Sequence, residues 1–168
     1  MPIKQAIRDR VRIFNKHVTN KILIHIAGRQ FGHFAVLGHT GRKSGRPRQT
    51  VVEVVRHDPP SGAYWIASGW GEKSDWYRNV RHNPDVTVTC GRQRMAARAE
   101  RLSPAEAEAE LRRYAERYPA AARSLAKLFF GRPMEDPAVD FPALSQQMPI
   151  LVLRPRPAGE GQSGSSLS

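Results

Sequence analysis

One cysteine, Cys90, stands in 168 residues. A single thiol excludes an internal disulfide framework and a cysteine-rich zinc site, and a reducing, cytoplasmic setting is the simplest expectation. No apolar run approaches the ~20 residues of a membrane span. The N-terminal stretch lacks the continuous apolar core of a signal peptide. Acidic residues are absent altogether between Asp9 and Glu53. Aromatic residues are sparse around that basic window, and no recognised nucleic-acid module appears, so no nucleic-acid partner is expected. Catalytic motifs are missing as well. There is no Gly-x-Ser-x-Gly elbow, and the histidines lack metal-ligand spacing. His33 and His39 are six apart, but two ligands do not make a site, and no bound metal is expected. Cys90 reads as an ordinary strand residue. Most acids fall in a helix read as exposed, at Glu106, Glu108, Glu110 and Glu116. If the chain is an enzyme, a bound cofactor therefore carries the chemistry and the protein supplies binding and orientation.

The length fits one domain, large enough to bury a core without staples. The formal net charge is +12. After Asp9 come Arg10, Arg12, Lys16, Lys21 and Arg29, with His17, His25, His33 and His39 among them. Such a field attracts anions, whether nucleic acid, an anionic membrane surface or a polyanionic small molecule. Its densest part is Gly38-His39-Thr40-Gly41-Arg42-Lys43-Ser44-Gly45-Arg46-Pro47-Arg48-Gln49-Thr50. Apolar runs flank it, Phe34 to Leu37 before and Val51 to Val55 after. Glycines let the backbone turn tightly, and guanidinium planes suit phosphate and carboxylate. We read an anion cradle on a hairpin loop; the bland alternative is a solvated basic tip. It is not a P-loop, because strand rather than helix follows Thr50.

In chain order, residues 1–32 read as a helical segment. Ile3, Ile7, Val11, Phe14 and Val18 make one apolar stripe, and Asn20 could cap a second short helix closed by Gly28. Packing on the barrel is the expectation for the first helix, and peripheral membrane contact the alternative. Strands follow over His33–Gly38, Gln49–His57 and Ala63–Ser68. Asp75 is expected to cap a short helix over Trp76–Arg81. A hairpin runs over Val86–Cys90 and Gln93–Arg101. Ser103-Pro104-Ala105-Glu106 is a capping box with proline at the first helical position, starting a helix to about Tyr118. Ala121–Phe130 is a second helix. Arg132–Gln147, with Pro133, Pro137 and Pro142, reads as irregular. Pro149–Arg154 is a last strand, and residues 155–168 a disordered tail. The fold class is α+β: an antiparallel sheet curled into a barrel over 33–154, with helices outside.

Three blocks, Arg42-Lys43-Ser44-Gly45-Arg46-Pro47-Arg48, then Lys73 with Trp76-Tyr77-Arg78-Asn79, then Asn83-Pro84-Asp85-Val86-Thr87-Val88, with the terminal strand, resemble the deazaflavin-dependent nitroreductase family. The resemblance implies a split β-barrel of the flavin/deazaflavin oxidoreductase type and binding of coenzyme F-420, which carries a phosphate and a polyglutamate tail. It implies that Arg42, Lys43, Ser44, Arg46 and Arg48 hold phosphate and tail. Gln49, Thr50 and Val51 would lie along the ring, and Ser68, Gly69, Lys73, Trp76, Tyr77 and Asn79 would complete the far side. For Trp76 and Tyr77 simple core packing is the competing role. His39 stands where the family commonly has threonine.

The activity so implied is hydride transfer from the reduced coenzyme to a planar, electron-poor acceptor, a quinone or a nitroaromatic, by an anionic-cofactor enzyme that could act as a homodimer. Water or a tyrosine, Tyr114 or Tyr118, would supply the proton. Two alternatives keep the barrel: an FMN-binding oxidoreductase, or a module that holds a lipid, haem or the coenzyme without turnover.

Overall fold

The computed structural model describes residues 34–69 and 71–157. The helices expected within residues 1–32 lie outside the described residues, as does the expected tail beyond Pro157; its first residues are ordered instead, Pro155 ending the last strand and the Arg156 N–H donating to the Ala96 carbonyl at 3.0 Å. Six strands form a closed antiparallel barrel: β1 (Phe34–Thr40), β2 (Pro47–Asp58), β3 (Ala63–Ala67), β4 (Asp85–Cys90), β5 (Gln93–Arg101) and β6 (Ile150–Pro155). Their order around it is β1-β2-β3-β6-β5-β4, with β4 pairing back to β1. Closure leaves no unpaired sheet edge to cover. The helices are α1 (Asp75–His82), α2 (Pro104–Arg117), α3 (Pro119–Phe130) and α4 (Pro137–Gln147). Among the described residues no helix is long and apolar enough to cross a membrane.

Side chains alternate across a strand, so every second residue faces inward. Leu37 pairs with Thr50 and Val88, Tyr64 with Leu153, and Val86 with Ala97. The inner core accordingly holds Ala35, Leu37, Val52, Val54, Tyr64, Ile66, Val86, Val88, Ala97, Leu151 and Leu153. The alternate residues of β3 and β6, among them Trp65, Ile150 and Val152, form a second core with Leu111 and Tyr114 of α2 and Phe141 and Leu144 of α4. This double duty explains why all five residues of β3 are buried.

The register of β2 on β3 shifts between Val54 and Arg56. The extra residue reverses the alternation beyond it. Arg56 turns outward, its guanidinium 3.4 Å from the Trp65 ring centroid and its Nε 3.1 Å from Glu110. His57 turns inward beside Tyr64. Glu110 was expected on an exposed face; it is buried, held by Arg56 and Arg113.

Two further expectations are corrected. Arg132–Gln147 is not irregular, because Pro137–Gln147 is helical. Pro137 occupies the first turn, where its missing N–H costs nothing, and the Asp136 carboxylate accepts from the Ala138 N–H at 2.9 Å. Pro142 forfeits one interior hydrogen bond, but Phe141, Leu144 and Met148 still bury themselves on the barrel. Buried Asp140 anchors the preceding turn, accepting from Arg132 at 2.7 and 3.1 Å and from the Glu135 and Asp136 N–H groups. Those partners, Arg132 first, lower its pKa to about 2. Asp75 is the first residue of α1 and not its cap. Ser74 holds the cap position without a side-chain capping bond. The capping box at Ser103 and Glu106 is present as expected.

Candidate cofactor site

The β1–β2 loop sits at the end of the barrel from which α1 inserts Tyr77 and Val80 into the inner core. Two bonds close the loop, Gly41 N–H to the Arg46 carbonyl and Gly45 N–H to the Gly41 carbonyl, both 2.8 Å. Gly45 takes φ 64°, a left-handed conformation suited to glycine. A Cβ on Gly41 would lie 2.7 Å from Ser44 Oγ, and that hydroxyl accepts from the Arg46 N–H at 3.3 Å.

Arg42 ties the loop to α1. Its backbone N–H and its guanidinium donate to Asn79 Oδ1 at 3.0 and 2.9 Å, and the guanidinium reaches the Asp75 carboxylate at 3.2 Å. An acid in the first turn of a helix also meets the positive end of its dipole. Asn79 Nδ2 lies 3.3 Å from Nδ1 of His39. The amide nitrogen is a donor, so Nδ1 accepts and the ring is neutral. Burial first, and then the charge of Arg48, lower the His39 pKa to about 4. The chain His39–Asn79–Arg42–Asp75 thus fixes the base of the loop.

Lys43, Arg46 and Arg48 are exposed, and among the described residues none has an ion-pair partner. Gln49 is exposed, while Thr50 and Val51 are half-buried. Ser68 is fully buried, its hydroxyl donating to the Gly71 carbonyl at 2.7 Å and lying 2.8 Å from Ser74 Oγ. Gly69 and Lys73 are exposed on the same connection. Trp76 is half-buried and meets Tyr77 edge-on at 6.0 Å. Tyr77 is 3% exposed, inside the barrel, and its hydroxyl has no partner among the described residues. Burial is the main cause of its raised pKa.

The residues expected to hold the cofactor's tail therefore come together on one loop, with Asn79 brought to it by α1; Trp76 packs against Tyr77 and the inner core. Tyr114 and Tyr118 lie elsewhere, in the core between helices and barrel, 5.2 Å apart. The Tyr114 hydroxyl donates to the Glu53 carboxylate. Burial and that bond push its pKa well above the ordinary phenol value. Sequence reasoning missed the parts played by His39, Asp75 and Glu53, because each depends on a partner at least 33 residues away. Among the described residues no group of histidine, cysteine or acidic side chains is placed to hold a metal.

The family profile described as F420H(2)-dependent quinone reductase matches residues 8–126, more than half of the chain. The chain belongs to the F420H(2)-dependent quinone reductase family. It is accordingly an oxidoreductase that depends on the deazaflavin coenzyme F-420. Several solved structures are similar. One described as an F420-H2 dependent reductase (FDR-A) is 22% identical over 73% of this chain and 94% of that one, with a TM-score of 0.49. A second, described as a domain-swapped dimer, is 21% identical over 92% of this chain and 100% of that one, TM-score 0.51. A third, Atu2129 of Agrobacterium tumefaciens, of unknown function, is 20% identical over 80% of this chain and 54% of that one, TM-score 0.51. At these identities the second and third likenesses speak for the barrel fold alone. No curated protein matches the chain significantly.

The loop suits the coenzyme this family uses. A polyanionic tail needs several cations not already neutralised by the protein, and Lys43, Arg46 and Arg48 are such cations on a turn whose backbone is fixed by Arg42, Gly41 and Gly45.

Proposed function

We propose that this family member reduces a planar, electron-poor acceptor, a quinone or a nitroaromatic, with the coenzyme's tail held on the β1–β2 loop. The observation that carries this reading is the set of three cations without an ion-pair partner among the described residues, Lys43, Arg46 and Arg48, on a loop anchored through Arg42 to Asn79 and Asp75. When bound, the reduced coenzyme supplies the hydride. Lys43, Arg46 and Arg48 hold phosphate and glutamyl carboxylates with charge-assisted bonds. Arg42 serves a different purpose from the other three: its donors are spent on α1, so it holds the loop in shape. Ser44 keeps the turn closed. Gln49 and Val51 share one face of β2 with Glu53, and this strip, with Gly69, Lys73 and Trp76, orients the ring and the acceptor against it. Ser68, Tyr77 and Asn79 act behind that surface, as the buried supports of the connection, the plug and the loop. Holding two reactants in register is the larger part of the rate gain. Tyr114 keeps its proton, held in a hydrogen bond to the Glu53 carboxylate, and solvent protonates the reduced acceptor.

Titration of the full chain with F-420, followed by the coenzyme's fluorescence, tests the binding. Saturable quenching at micromolar protein is expected, and no change at that concentration would reject the reading. Single-turnover mixing of reduced coenzyme with menadione tests the chemistry. Protein-dependent oxidation is expected; oxidation no faster than without protein would reduce the chain to a carrier.

A further inference from the structure

Among the described residues no helix inserts into the end of the barrel opposite the cationic loop. A cavity of about 580 Å³ enters there, lined among others by His57, Tyr64, Cys90, Met95, Arg92 and Arg94. That volume falls in the range of small-molecule sites, and so does the mixture of apolar walls with a few polar groups. One wall is a stack: the His57 and Tyr64 rings lie 4.1 Å apart at 16°. Tyr64 is buried beneath, and His57 is exposed above it, so the imidazole offers a flat surface. Val88 and Met95, paired across β4 and β5, give an apolar floor, and a thioether adapts readily to a ring edge.

The rim is cationic. Arg92 and Arg94 stand exposed at the β4–β5 turn, and among the described residues neither has an acidic partner. Asp58, which follows His57 at the end of β2, is engaged by the hydroxyl and N–H of Ser61. Two guanidinium forks beside a flat aromatic surface call for a planar anion with oxygens to accept.

We propose that this mouth binds a planar aromatic carboxylate, its ring on His57 and its carboxylate on Arg92 and Arg94. The site is separate from the β1–β2 loop and does not rest on the deazaflavin reading.

The test uses 2-naphthoate with the full chain and two readouts. The first is amide NMR, where saturable shifts are expected at Gly62, Val88, Gly91 and Met95. The second is alkylation of the sole cysteine by neutral iodoacetamide. Cys90 lines the cavity, so occupancy protects it: at about four times the dissociation constant the rate falls about fivefold, the factor 1 + [L]/Kd. The neutral isostere 2-naphthamide, and the exposed double variant Arg92→Ser with Arg94→Ser, should each weaken binding at least about tenfold. Lys43→Ala with Arg48→Ala should leave it unchanged, which separates this site from the coenzyme's. Equal affinity for naphthoate and naphthamide would overturn the proposal. So would shifts confined to residues 41–48, or none at millimolar ligand. The comparison of the two probes needs only the unaltered chain and decides the matter if the double variant fails to fold.

Discussion

At one end of the barrel α1 inserts Tyr77 and Val80, and a polar chain from His39 through Asn79 and Arg42 to Asp75 locks the adjoining loop. At the other end no described helix inserts, and the same six strands leave a cavity between two turns. Both ends carry arginines, but they use them differently. Arg42 is spent inside the protein, which makes the neighbouring Lys43, Arg46 and Arg48 the exposed cations of a fixed turn. Arg92 belongs to a two-residue connection with Gly91 at φ 59°, Arg94 stands at the start of β5 just after it, and among the described residues neither side chain has an ion-pair partner. A plugged end fixes a cationic surface, whereas an open end provides a chamber. Preorganised charge is the more useful arrangement for gripping a long polyanion, because less ordering is left to be done on binding.

The largest effect that would break this contrast is on coenzyme affinity. Each charge-assisted contact contributes about 1.5–3 kcal/mol. Lys43→Ala with Arg48→Ala should therefore weaken F-420 at least about 100-fold, and should weaken the tail-less precursor far less. Equal losses, measured by fluorescence titration, would remove the loop's role in holding the tail.

Next comes the lock itself. Asn79→Ala strands the Arg42 N–H and the His39 ring nitrogen, and should cost about 3 kcal/mol in urea unfolding. Arg92→Ser at the open end should stay within about 0.5 kcal/mol. Similar costs for both would mean that the plugged end is not the more tightly built.

The lock should also be pH-sensitive. The His39 pKa is about 4 in the fold against a usual 6.5, so the unfolded chain takes up the proton first. Stability is then complete above about pH 6.5 and falls as the pH drops toward 4, with about 2 kcal/mol gone by pH 5. His39→Asn should flatten that part of the profile. Asp140, with its pKa lowered to about 2, adds its own loss only below the ordinary carboxylate range.

The smallest effect has the opposite sign. Tyr77→Phe removes a buried hydroxyl that has no partner among the described residues, and should leave thermal stability unchanged or raise it by up to about 1 kcal/mol. A clear loss would show that the hydroxyl is satisfied in solution.

Much of this architecture was readable along the chain. Alternating Val, Ile and Tyr residues marked the strands, and Ser103 with Glu106 announced α2. The residues of the cationic loop were legible because glycine and arginine at close spacing say what a turn can hold. Helix α4 was not, since three prolines between Arg132 and Gln147 outweighed a stripe that only the barrel wall rewards. The register shift at Val55 was also invisible, and with it the inward turn of His57 and the burial of Glu110 against Arg56. The short-range cap expected of Asp75 lost to a long-range ion pair with Arg42.

By itself the sequence determined an antiparallel α+β chain with a cationic bend after its first strand, because side-chain alternation, turn residues and charge density are local properties. Which arginine faces a ligand and which faces the protein was decided only when α1 reached the loop. So was the difference between the barrel's plugged and open ends. Both depend on contacts between residues far apart in the chain, and on burial that sets whether a group such as His39 carries charge.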